Sequence, residues 1–477
     1  MSRIYTPLLT DFYQLTMASG YWQLGMHEQE AAFHLLFRKN PFKGNHAVTC
    51  GLSTVIDFIR EWSFQQDDLD YLASLKDSKN LPLFTPAFLD YLANMQFSCD
   101  IDAIPEGTIV FPNTPVLRVQ GSLIQCQLLE TALLNILNFQ SLIATKAARV
   151  CIAAEGDDVI EFGLRRAQGP DGALSASRAA YIGGCTATSN TLAGKLYDIP
   201  VRGTHAHSWV TAFSSEQEAF ESYLKVMPHN SVLLVDTFNT IDGVANAIEA
   251  GIKLRAQGAE LSAIRLDSGD MADLSVKARK MLDEAGFKNT GIMSSNSLDE
   301  YAIADLKKKG AKISAWGVGT NLVTAYDHPA LDGVYKMSAL KNANGKWDYK
   351  LKLSEQEVKI SNPGRHQVRR FFTNDKYLAD VIYDLDFGIP EAPEVSLFDK
   401  SMPPVRLDDY DAFVDLLQPL YSKGKLVQKQ KSIHAIRKEA IKEVRQFHNA
   451  NGTHVYPVGL EKKLHELKLK LMSKYRK

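Results

Sequence analysis

The sequence predicts an α/β protein built around a parallel sheet that closes, or nearly closes, into a βα barrel. Short apolar runs alternate with helical patterns in the middle of the chain, and such alternation is typical of parallel sheets. Polar or glycine residues follow the best-defined runs, and in βα barrels the strand ends carry the active site. The predicted strands cover residues 159–162, 199–201, 232–235, 263–266, 291–293 and 313–316.

The chain before the barrel has a different pattern. A helix is predicted from Asp11, a strand at 33–37, helices at 53–62 and 86–95, and strands at 108–111 and 116–120. This is an α+β pattern, which gives a first domain of residues 1–122. Residues 123–154 look helical throughout and open a barrel domain of residues 123–330, because the alternation stops after Leu331. Asn344-Gly345 then indicates a hairpin.

Composition excludes several classes of function. The 477 residues are 45% hydrophobic and carry a net charge of −1, so no overall field favours nucleic acid or an anionic membrane. No apolar run of membrane-spanning length is found, and the first ten residues lack the apolar core of a signal peptide. Five cysteines without a Cys-x-x-Cys pair fit a reducing compartment, so we expect a cytoplasmic protein. The basic tail favours solvated amphipathic helices over RNA binding.

The segment 203–209, Gly-Thr-His-Ala-His-Ser-Trp, is the strongest single candidate for chemistry. It places His205 and His207 between a predicted strand and a predicted helix. An imidazole is partly uncharged at neutral pH, so it can act as a nucleophile, a base or a ligand. The alternative is a pair of hydrogen-bonded structural histidines. A zinc site is disfavoured because no cysteine or acidic residue lies close in sequence.

Two further segments put charge at strand ends. Arg165 and Arg166 follow the first barrel strand, where guanidinium groups can pair with phosphate oxygens. Arg265 lies at the end of another strand and can hold a carboxylate or a phosphate. Asp267 or Asp270, just beyond it, can face a magnesium ion or ribose hydroxyls. The alternatives are a surface salt bridge for the arginine pair and a helix cap for Asp270.

The segment Gly-Val-Gly-Thr at 317–320 favours a phosphate-binding loop. Gly317 and Gly319 let the backbone approach a ligand, and the helix expected from Thr320 offers free N–H groups and a positive dipole end. It is no dinucleotide fingerprint, since Leu322 replaces the third glycine. Ser294, Ser295 and Asn296, one strand earlier, are candidate additional donors, and Ser294 is the one assigned to the site. The alternative is an ordinary turn that opens a helix.

Together, five stretches resemble the nicotinate phosphoribosyltransferase family over most of the chain. The resemblance implies a type II phosphoribosyltransferase fold, an irregular α/β barrel beside an open α/β sandwich built from both chain ends. Residues of about 331–400 would then complete the first domain, and 401–477 would form a helical C-terminal region. The stretches are Asp-Phe-Tyr-Gln-Leu-Thr-Met (11–17), Glu-Phe-Gly-Leu-Arg-Arg (161–166), Gly-Thr-His-Ala-His-Ser (203–208), Arg-Leu-Asp-Ser-Gly-Asp (265–270) and Gly-Val-Gly-Thr (317–320).

The resemblance also implies roles for single residues. His207 corresponds to the histidine that ATP phosphorylates. Thr204, Arg265 and Arg165 correspond to nicotinate contacts, with Arg265 on the carboxylate. Tyr13 resembles an aromatic residue that stacks on the pyridine ring from the other subunit, which implies a homodimer with shared active sites.

Phosphoribosyl diphosphate is the second substrate that the resemblance implies. Thr320, Gly319, Gly317, Ser294 and Arg166 are its expected contacts. Magnesium is the expected metal, held by Asp267 or Asp270. With ATP as co-substrate, the predicted reaction forms nicotinate mononucleotide and diphosphate, the first step of NAD salvage from nicotinate.

Three alternatives remain open at the sequence level. The first is a nicotinamide phosphoribosyltransferase, in which an aspartate that reads the amide would follow the Gly-Thr pair, where this chain has His205. The second is a phosphosugar-binding barrel such as an isomerase or aldolase, which would need a lysine or glutamate at a strand end. The third is a non-catalytic sensor that kept the fold.

Overall fold

The structure, a computed structural model, describes residues 5–356, 359–374, 376–451 and 456–476. The chain divides into two compact units. One unit comprises the chain up to Leu142, Ala330–Ser432 and the chain from Lys442 onward, and the other comprises Ile143–Pro329 and Ile433–Ile441. The sequence placed the corresponding borders at 122/123 and 330/331, and it made 401–477 a separate region.

The chain up to Ala153 alternates between helices and strands. The helices are α1 (Phe12–Gln23), α2 (Leu52–Arg60), α3 (Gln66–Ser74), α4 (Pro86–Ala93), α5 (Leu123–Leu128) and α6 (Glu130–Ala153), with a 3₁₀ turn at Pro41–Lys43. The strands are β1 (Glu30–Phe37), β2 (Ala47–Val48), β3 (Asp100–Ala103), β4 (Ile109–Val110) and β5 (Leu117–Ser122).

The middle of the chain consists of βα units. Its strands are β6 (Asp158–Glu161), β7 (Ala187–Thr188), β8 (Val232–Leu234), β9 (Ala263–Leu266), β10 (Gly291–Ser294) and β11 (Ala315–Val318). Its helices are α7 (Pro170–Ile182), α8 (Thr191–Tyr197), α9 (His207–Thr211), α10 (Glu216–Val226), α11 (Thr240–Ala256), α12 (Met271–Glu284), α13 (Glu300–Lys308) and α14 (Thr320–Val323), with a 3₁₀ turn at Leu164–Arg166.

The remainder of the chain is mostly strands followed by two helices. The strands are β12 (Gly333–Lys341), β13 (Trp347–Tyr349), β14 (His366–Thr373), β15 (Lys376–Asp384), β16 (Glu394–Leu397), β17 (Val405–Arg406), β18 (Ala412–Asp415), β19 (Gln418–Ser422), β20 (Lys425–Leu426) and β21 (Val458–Glu461). The helices are α15 (Ile433–Asn451) and α16 (Lys462–Tyr475). The C-terminal region is therefore not purely helical, because β17–β21 also lie in it.

The first unit contains a seven-stranded sheet of order β13-β12-β1-β5-β3-β19-β20. The central strand β1 pairs antiparallel with both β5 and β12, so the sheet draws on both chain ends as predicted. A second sheet has the order β17-β16-β21-β15-β14-β18. The hairpin predicted at Asn344-Gly345 joins β12 to β13.

The second unit contains a parallel sheet of order β7-β6-β11-β10-β9-β8. It curls into an open half-barrel, and the run predicted as a strand at 199–201 contributes only an isolated bridge between Thr188 and Val201. Helices α11, α12 and α13 are capped at their N-termini by Asn239, Asp270 and Asp299, whose side chains accept two backbone N–H groups each. These caps fix where each strand-to-helix loop ends.

The stretch Leu123–Ala153, which forms α5 and α6, is the helical segment of the described chain that is long and apolar enough to cross a membrane by length and composition. Of its most apolar window, 67% is buried inside the protein. Residues of α5 and the first half of α6, such as Leu128, Leu129 and Leu133, belong to the core of the first unit. Burial inside the protein accounts for the apolar composition of this stretch.

Candidate active site

A cavity of about 500 Å³ lies at the carboxyl ends of the half-barrel strands. Its size is typical of small-molecule sites, and each strand from β6 to β11 contributes lining residues from its last position or the loop after it. Three arginines and one aspartate line it, which favours anionic ligands. The sequence-predicted residues that line it are Arg165, Arg166, Thr204, His207, Arg265, Asp267, Gly317, Gly319 and Thr320.

His207 is the first residue of α9, and its side chain is 45% exposed. Its Nε2 lies 3.3 Å from Oδ1 of Asp236, a carboxylate that is 1% exposed and lies in the loop after β8. When Nε2 carries the proton and donates to Asp236, Nδ1 keeps the free lone pair. A half-exposed imidazole with a buried carboxylate behind it has the geometry of an oriented nucleophile.

His205 is oriented differently and packs into the protein. It is 7% exposed, its ring contacts Phe220 and Tyr223, and its Nε2 accepts the backbone N–H of Leu234 at 3.2 Å. Burial lowers the pKa of this imidazole, and the charges of Arg265 and His207 lower it further. His205 is thus a neutral structural histidine. The alternative of a hydrogen-bonded structural role, which the sequence left open for both histidines, applies to His205.

Arg265 lies at the centre of a hydrogen-bond network beside the cavity. Its Nε donates to Ser295 Oγ at 2.7 Å, its Nη1 to Thr204 Oγ1 at 3.0 Å and its Nη2 to Asp267 Oδ1 at 3.1 Å. The guanidinium has five N–H donors, so two remain for a ligand. It also lies 5.5 Å from the centre of the Phe162 ring. An aromatic surface beside a fixed guanidinium suits a flat carboxylate ligand.

Arg165 and Arg166 lie in the exposed 3₁₀ turn after β6, and Glu161 holds that turn from behind. Glu161 is fully buried; its carboxylate accepts the N–H of Gly163 and the hydroxyls of Ser177 at 2.8 Å and Thr188 at 2.6 Å. These bonds leave the arginine side chains free to reach into the cavity while their backbone stays fixed.

The glycine-rich segment lies partly within a strand, since β11 extends to Val318 and includes Gly317. A Cβ on Gly317 would lie 2.7 Å from the Phe162 ring, and one on Gly319 would lie 3.2 Å from the Phe162 carbonyl oxygen. Both glycines therefore leave room for Phe162. The helix that follows is only four residues long, so its dipole contributes less than the sequence predicted.

Three predicted site residues lie outside the cavity lining. Ser294 is fully buried as the last residue of β10, because successive strand residues face opposite sides, and its neighbour Ser295 lines the cavity instead. Asp270 caps α12 through the N–H groups of Ala272 and Asp273. Tyr13 belongs to the first unit, in α1, with 49% of its surface exposed.

Sequence reasoning missed three contributors. Asp236 was given no role, although β8 pairs with β9 so that Leu234 lies opposite Arg265, and this register puts Asp236 level with Asp267. Phe162 was quoted within its motif without a role. Ser189 lines the cavity directly after β7, a strand that was too short to be recognised. Position after a strand was the available signal in all three cases.

The donors that face the cavity are compatible with a magnesium ion carried by a phosphorylated ligand. Within the described part of the chain, no three His, Cys, Asp or Glu side chains group as a metal site. Magnesium commonly binds through one or two carboxylates plus substrate phosphates. Asp267 uses Oδ1 for Arg265 and Ser295, which leaves Oδ2 for such an ion.

Family models match the chain in three consecutive parts. Residues 8–138 match the nicotinate phosphoribosyltransferase N-terminal domain, residues 158–361 the nicotinate phosphoribosyltransferase family, and residues 365–468 the nicotinate phosphoribosyltransferase C-terminal domain. The matched segments cover most of the sequence and include all of the candidate site residues described above.

Individual relatives agree with the family models. The chain is 44% identical to nicotinate phosphoribosyltransferase of Bacillus subtilis over 382 residues, which is 79% of this chain and 75% of that protein. It is 36% identical to the enzyme of that name from Dictyostelium discoideum, over 96% of this chain and 87% of that one. The crystal structure of human nicotinic acid phosphoribosyltransferase superposes with a TM-score of 0.83 at 29% identity, covering 97% of this chain and 99% of that chain.

Proposed function

This chain belongs to the nicotinate phosphoribosyltransferase family and is an enzyme of that type in NAD salvage, and we propose that it couples the transfer to ATP through a phosphorylated His207. The substrates would be nicotinate, 5-phosphoribosyl 1-diphosphate and ATP, and the products nicotinate mononucleotide and diphosphate. The observation that carries the ATP coupling is the contact between the half-exposed His207 and the buried Asp236. We expect the protein to work in the cytoplasm.

Nicotinate would bind between Arg265 and Phe162. The two unused N–H donors of Arg265 would take its carboxylate, with Thr204 and Arg165 close by, and the pyridine ring would lie against Phe162. The pyridine nitrogen has a free lone pair, so the chain needs no strong base to activate it. Orientation of the ring is the main contribution of these residues.

The diphosphate and ribose would occupy the side of the cavity formed by Arg166 and by residues 317–320. Guanidinium groups and backbone N–H groups stabilise the charge that builds up on diphosphate as it leaves C1 of the ribose. Ser295 would replace the predicted Ser294 as a hydroxyl donor from β10. Asp267 is the better candidate for magnesium, which would neutralise diphosphate charge, because Asp270 caps a helix.

Phosphorylation of His207 would use the Nδ1 lone pair. Nδ1 attacks the γ-phosphorus of ATP, the bond to the β,γ-bridging oxygen breaks, and ADP leaves with that electron pair. The imidazolium that results keeps its Nε2 proton next to Asp236, which stabilises the positive charge. Water later cleaves the N–P bond and releases phosphate, which returns the neutral histidine.

The test is product formation from nicotinate and phosphoribosyl diphosphate with magnesium, run with and without ATP, for the wild type and His207→Ala. We expect ATP to stimulate the wild type and to leave His207→Ala unchanged, with acid-labile label from γ-labelled ATP only in the wild type. His229→Ala, a change at an exposed histidine of the same unit, is the control. Equal ATP stimulation in His207→Ala would disprove the phosphohistidine. If the enzyme formed product from nicotinamide and not from nicotinate, nicotinamide would replace nicotinate as the proposed substrate.

The proposed assembly is a homodimer in which each subunit supplies Tyr13 to the other subunit's cavity. Phe12, Tyr13 and Met17 are exposed by 53%, 49% and 37% on the first turns of α1. Three neighbouring exposed apolar side chains on one short segment are typical of an interface. A stacking partner from a second subunit would close the pyridine ring between two aromatic side chains.

A further inference from the structure

The two oxygens of the Asp236 carboxylate have different partners: one faces the proposed phosphohistidine, and the other binds the loop after β9, the strand that carries Arg265. Its Oδ1 faces His207 Nε2 at 3.3 Å, whereas its Oδ2 accepts the Ser268 hydroxyl at 2.6 Å and the N–H of Asp267 at 3.0 Å. The carboxylate is almost completely buried, so its position depends on these partners more than on water. A movement of the Asp236 carboxylate towards His207 therefore also displaces residues 267 and 268.

The hydrogen bonds continue from Asp267 to the carboxylate-binding arginine. Oδ1 of Asp267 accepts the Ser295 hydroxyl at 2.5 Å and Nη2 of Arg265 at 3.1 Å, and Ser295 in turn accepts Nε of Arg265 at 2.7 Å. The network thus joins His207 to Arg265 without a break. We name it the Asp236 network, and its members are His207, Asp236, Asp267, Ser268, Ser295 and Arg265.

We propose that Ser268 is a positioning residue that couples the phosphorylation of His207 to the geometry of Arg265. The 3.3 Å contact of His207 is long for a hydrogen bond to a carboxylate, which prefers about 2.7–2.9 Å. A phosphoryl group on Nδ1 fixes the proton on Nε2 and makes the ring cationic, so this contact shortens. The carboxylate moves towards His207, and through Oδ2 it draws the Asp267–Ser268 backbone with it.

Ser268 makes this movement effective because it is the second point at which the 267–268 backbone is fixed to Asp236. With the N–H of Asp267 alone, the loop can swing about a single hydrogen bond. With both bonds, the loop must follow the carboxylate, and Asp267 and Arg265 follow the loop. The inference rests on the proposed phosphohistidine and assigns Ser268 no contact with substrate.

The experiment compares Ser268→Ala and Ser268→Thr with the wild type in the full-length enzyme. KM for nicotinate and kcat are measured with and without ATP at saturating phosphoribosyl diphosphate, and acid-labile labelling by γ-labelled ATP is measured alongside. We expect Ser268→Ala to be labelled normally and to keep its ATP-independent constants, while the fall in nicotinate KM that ATP causes shrinks by roughly tenfold. Ser268→Thr keeps the hydroxyl and restores the ATP effect.

Asp299→Ala is the matched control, since it removes a helix cap from the loop that also carries Ser295, while the Asp299 carboxylate itself accepts the N–H groups of Tyr301 and Ala302 rather than a group of the Asp236 network. It lowers the melting temperature but keeps the wild-type ATP effect, which separates coupling from general loosening of the unit. A Ser268→Ala enzyme with the full ATP effect overturns the role of Ser268 and leaves the phosphohistidine intact. A wild type without label or ATP effect overturns both proposals.

Discussion

At the scale of single residues, the Gly-Thr-His-Ala-His-Ser segment shows how two imidazoles two positions apart acquire different properties. His205 faces inward, where it accepts the N–H of Leu234 and packs on two aromatic rings, so burial lowers its pKa and keeps it neutral. His207 begins a helix and is half exposed beside Asp236. The pattern made both imidazoles candidates and the family resemblance selected His207. The surroundings of each ring give the physical reason for that choice.

The two aspartates after β9 also differ, and this difference gives a prediction about magnesium. Asp267→Asn keeps the Oδ1 acceptor for Arg265 but removes the charge, so we expect the magnesium concentration for half-maximal activity to rise by about tenfold. Asp270→Ala removes the cap of α12, so we expect unchanged magnesium dependence and about 1 kcal/mol less stability. Magnesium titrations and urea unfolding of both variants measure this. If only Asp270→Ala raised the magnesium concentration for half-maximal activity, Asp270 and not Asp267 would be the magnesium ligand.

At the scale of elements, the barrel strands were the most predictable part of the chain. Residues 263–266 were predicted as a strand and are one. By contrast, the strand predicted at 313–316 is displaced to Ala315–Val318, because Gly317 was read as a loop residue although it is a strand position that leaves room for Phe162. Such displacement cannot be foreseen locally, since the residue that requires the glycine is about 150 positions away in sequence and adjacent only in the sheet.

Where β1 and β14 meet in the first unit, two buried histidines stack with their ring centres 4.1 Å apart. His34 accepts the N–H of His366 through Nε2, and His366 Nε2 lies 2.9 Å from the carbonyl of Pro363. Burial lowers the pKa of both rings, that of His366 to about 4. A second proton on either ring would place a positive charge in a fully buried site near Arg118, so the contact depends on both rings staying neutral.

This histidine pair predicts a loss of stability in mild acid. The folded pKa of His366 lies below its ordinary value of 6.5, so the unfolded chain binds more protons between pH 6.5 and about 4. The contribution of His366 to the free energy of unfolding is therefore constant above that window. It falls as the pH drops through the window, by about 1.4 kcal/mol per pH unit. Urea midpoints from pH 8 to pH 4.5 measure the slope. His366→Gln should flatten it, whereas the exposed His229→Gln should not; equal slopes for all three would refute the assignment.

At the scale of the whole molecule, the two units draw on distant parts of the sequence. The first unit combines both chain ends, and its central strand β1 pairs with β12 some 300 residues away. Alternation of strands and helices predicted a closed or nearly closed βα barrel, which the structure has as an open half-barrel. Long-range antiparallel pairing leaves no periodic signal along the chain, so the sandwich was expected only through the family resemblance. The residues that line the cavity all belong to the second unit, whereas Tyr13, which is proposed to reach a cavity from the other subunit, belongs to the first unit.

Tyr13 makes the proposed dimer testable by complementation. If each cavity takes its arginine from one subunit and its tyrosine from the other, Arg265→Ala and Tyr13→Ala are each defective as homodimers. A mixed dimer contains one site with both residues intact and one site with neither. Equal mixing with full subunit exchange gives half mixed dimers, so about a quarter of the wild-type sites should return. Co-refolding followed by a product assay with nicotinate measures this.

The control for the complementation is a second mixture, Arg265→Ala with Thr204→Ala. Both of these changes lie in the same cavity of the second unit, where Thr204 accepts a hydrogen bond from Arg265. A mixed dimer of this pair carries one defect in each site, so no intact site forms and activity should stay at the level of the single variants. No recovery with Tyr13→Ala would mean that each subunit builds its site alone, and the exposed first turns of α1 would then need another explanation. Recovery in the control would mean that mixing itself restores activity, so that recovery with Tyr13→Ala would no longer be evidence for shared sites.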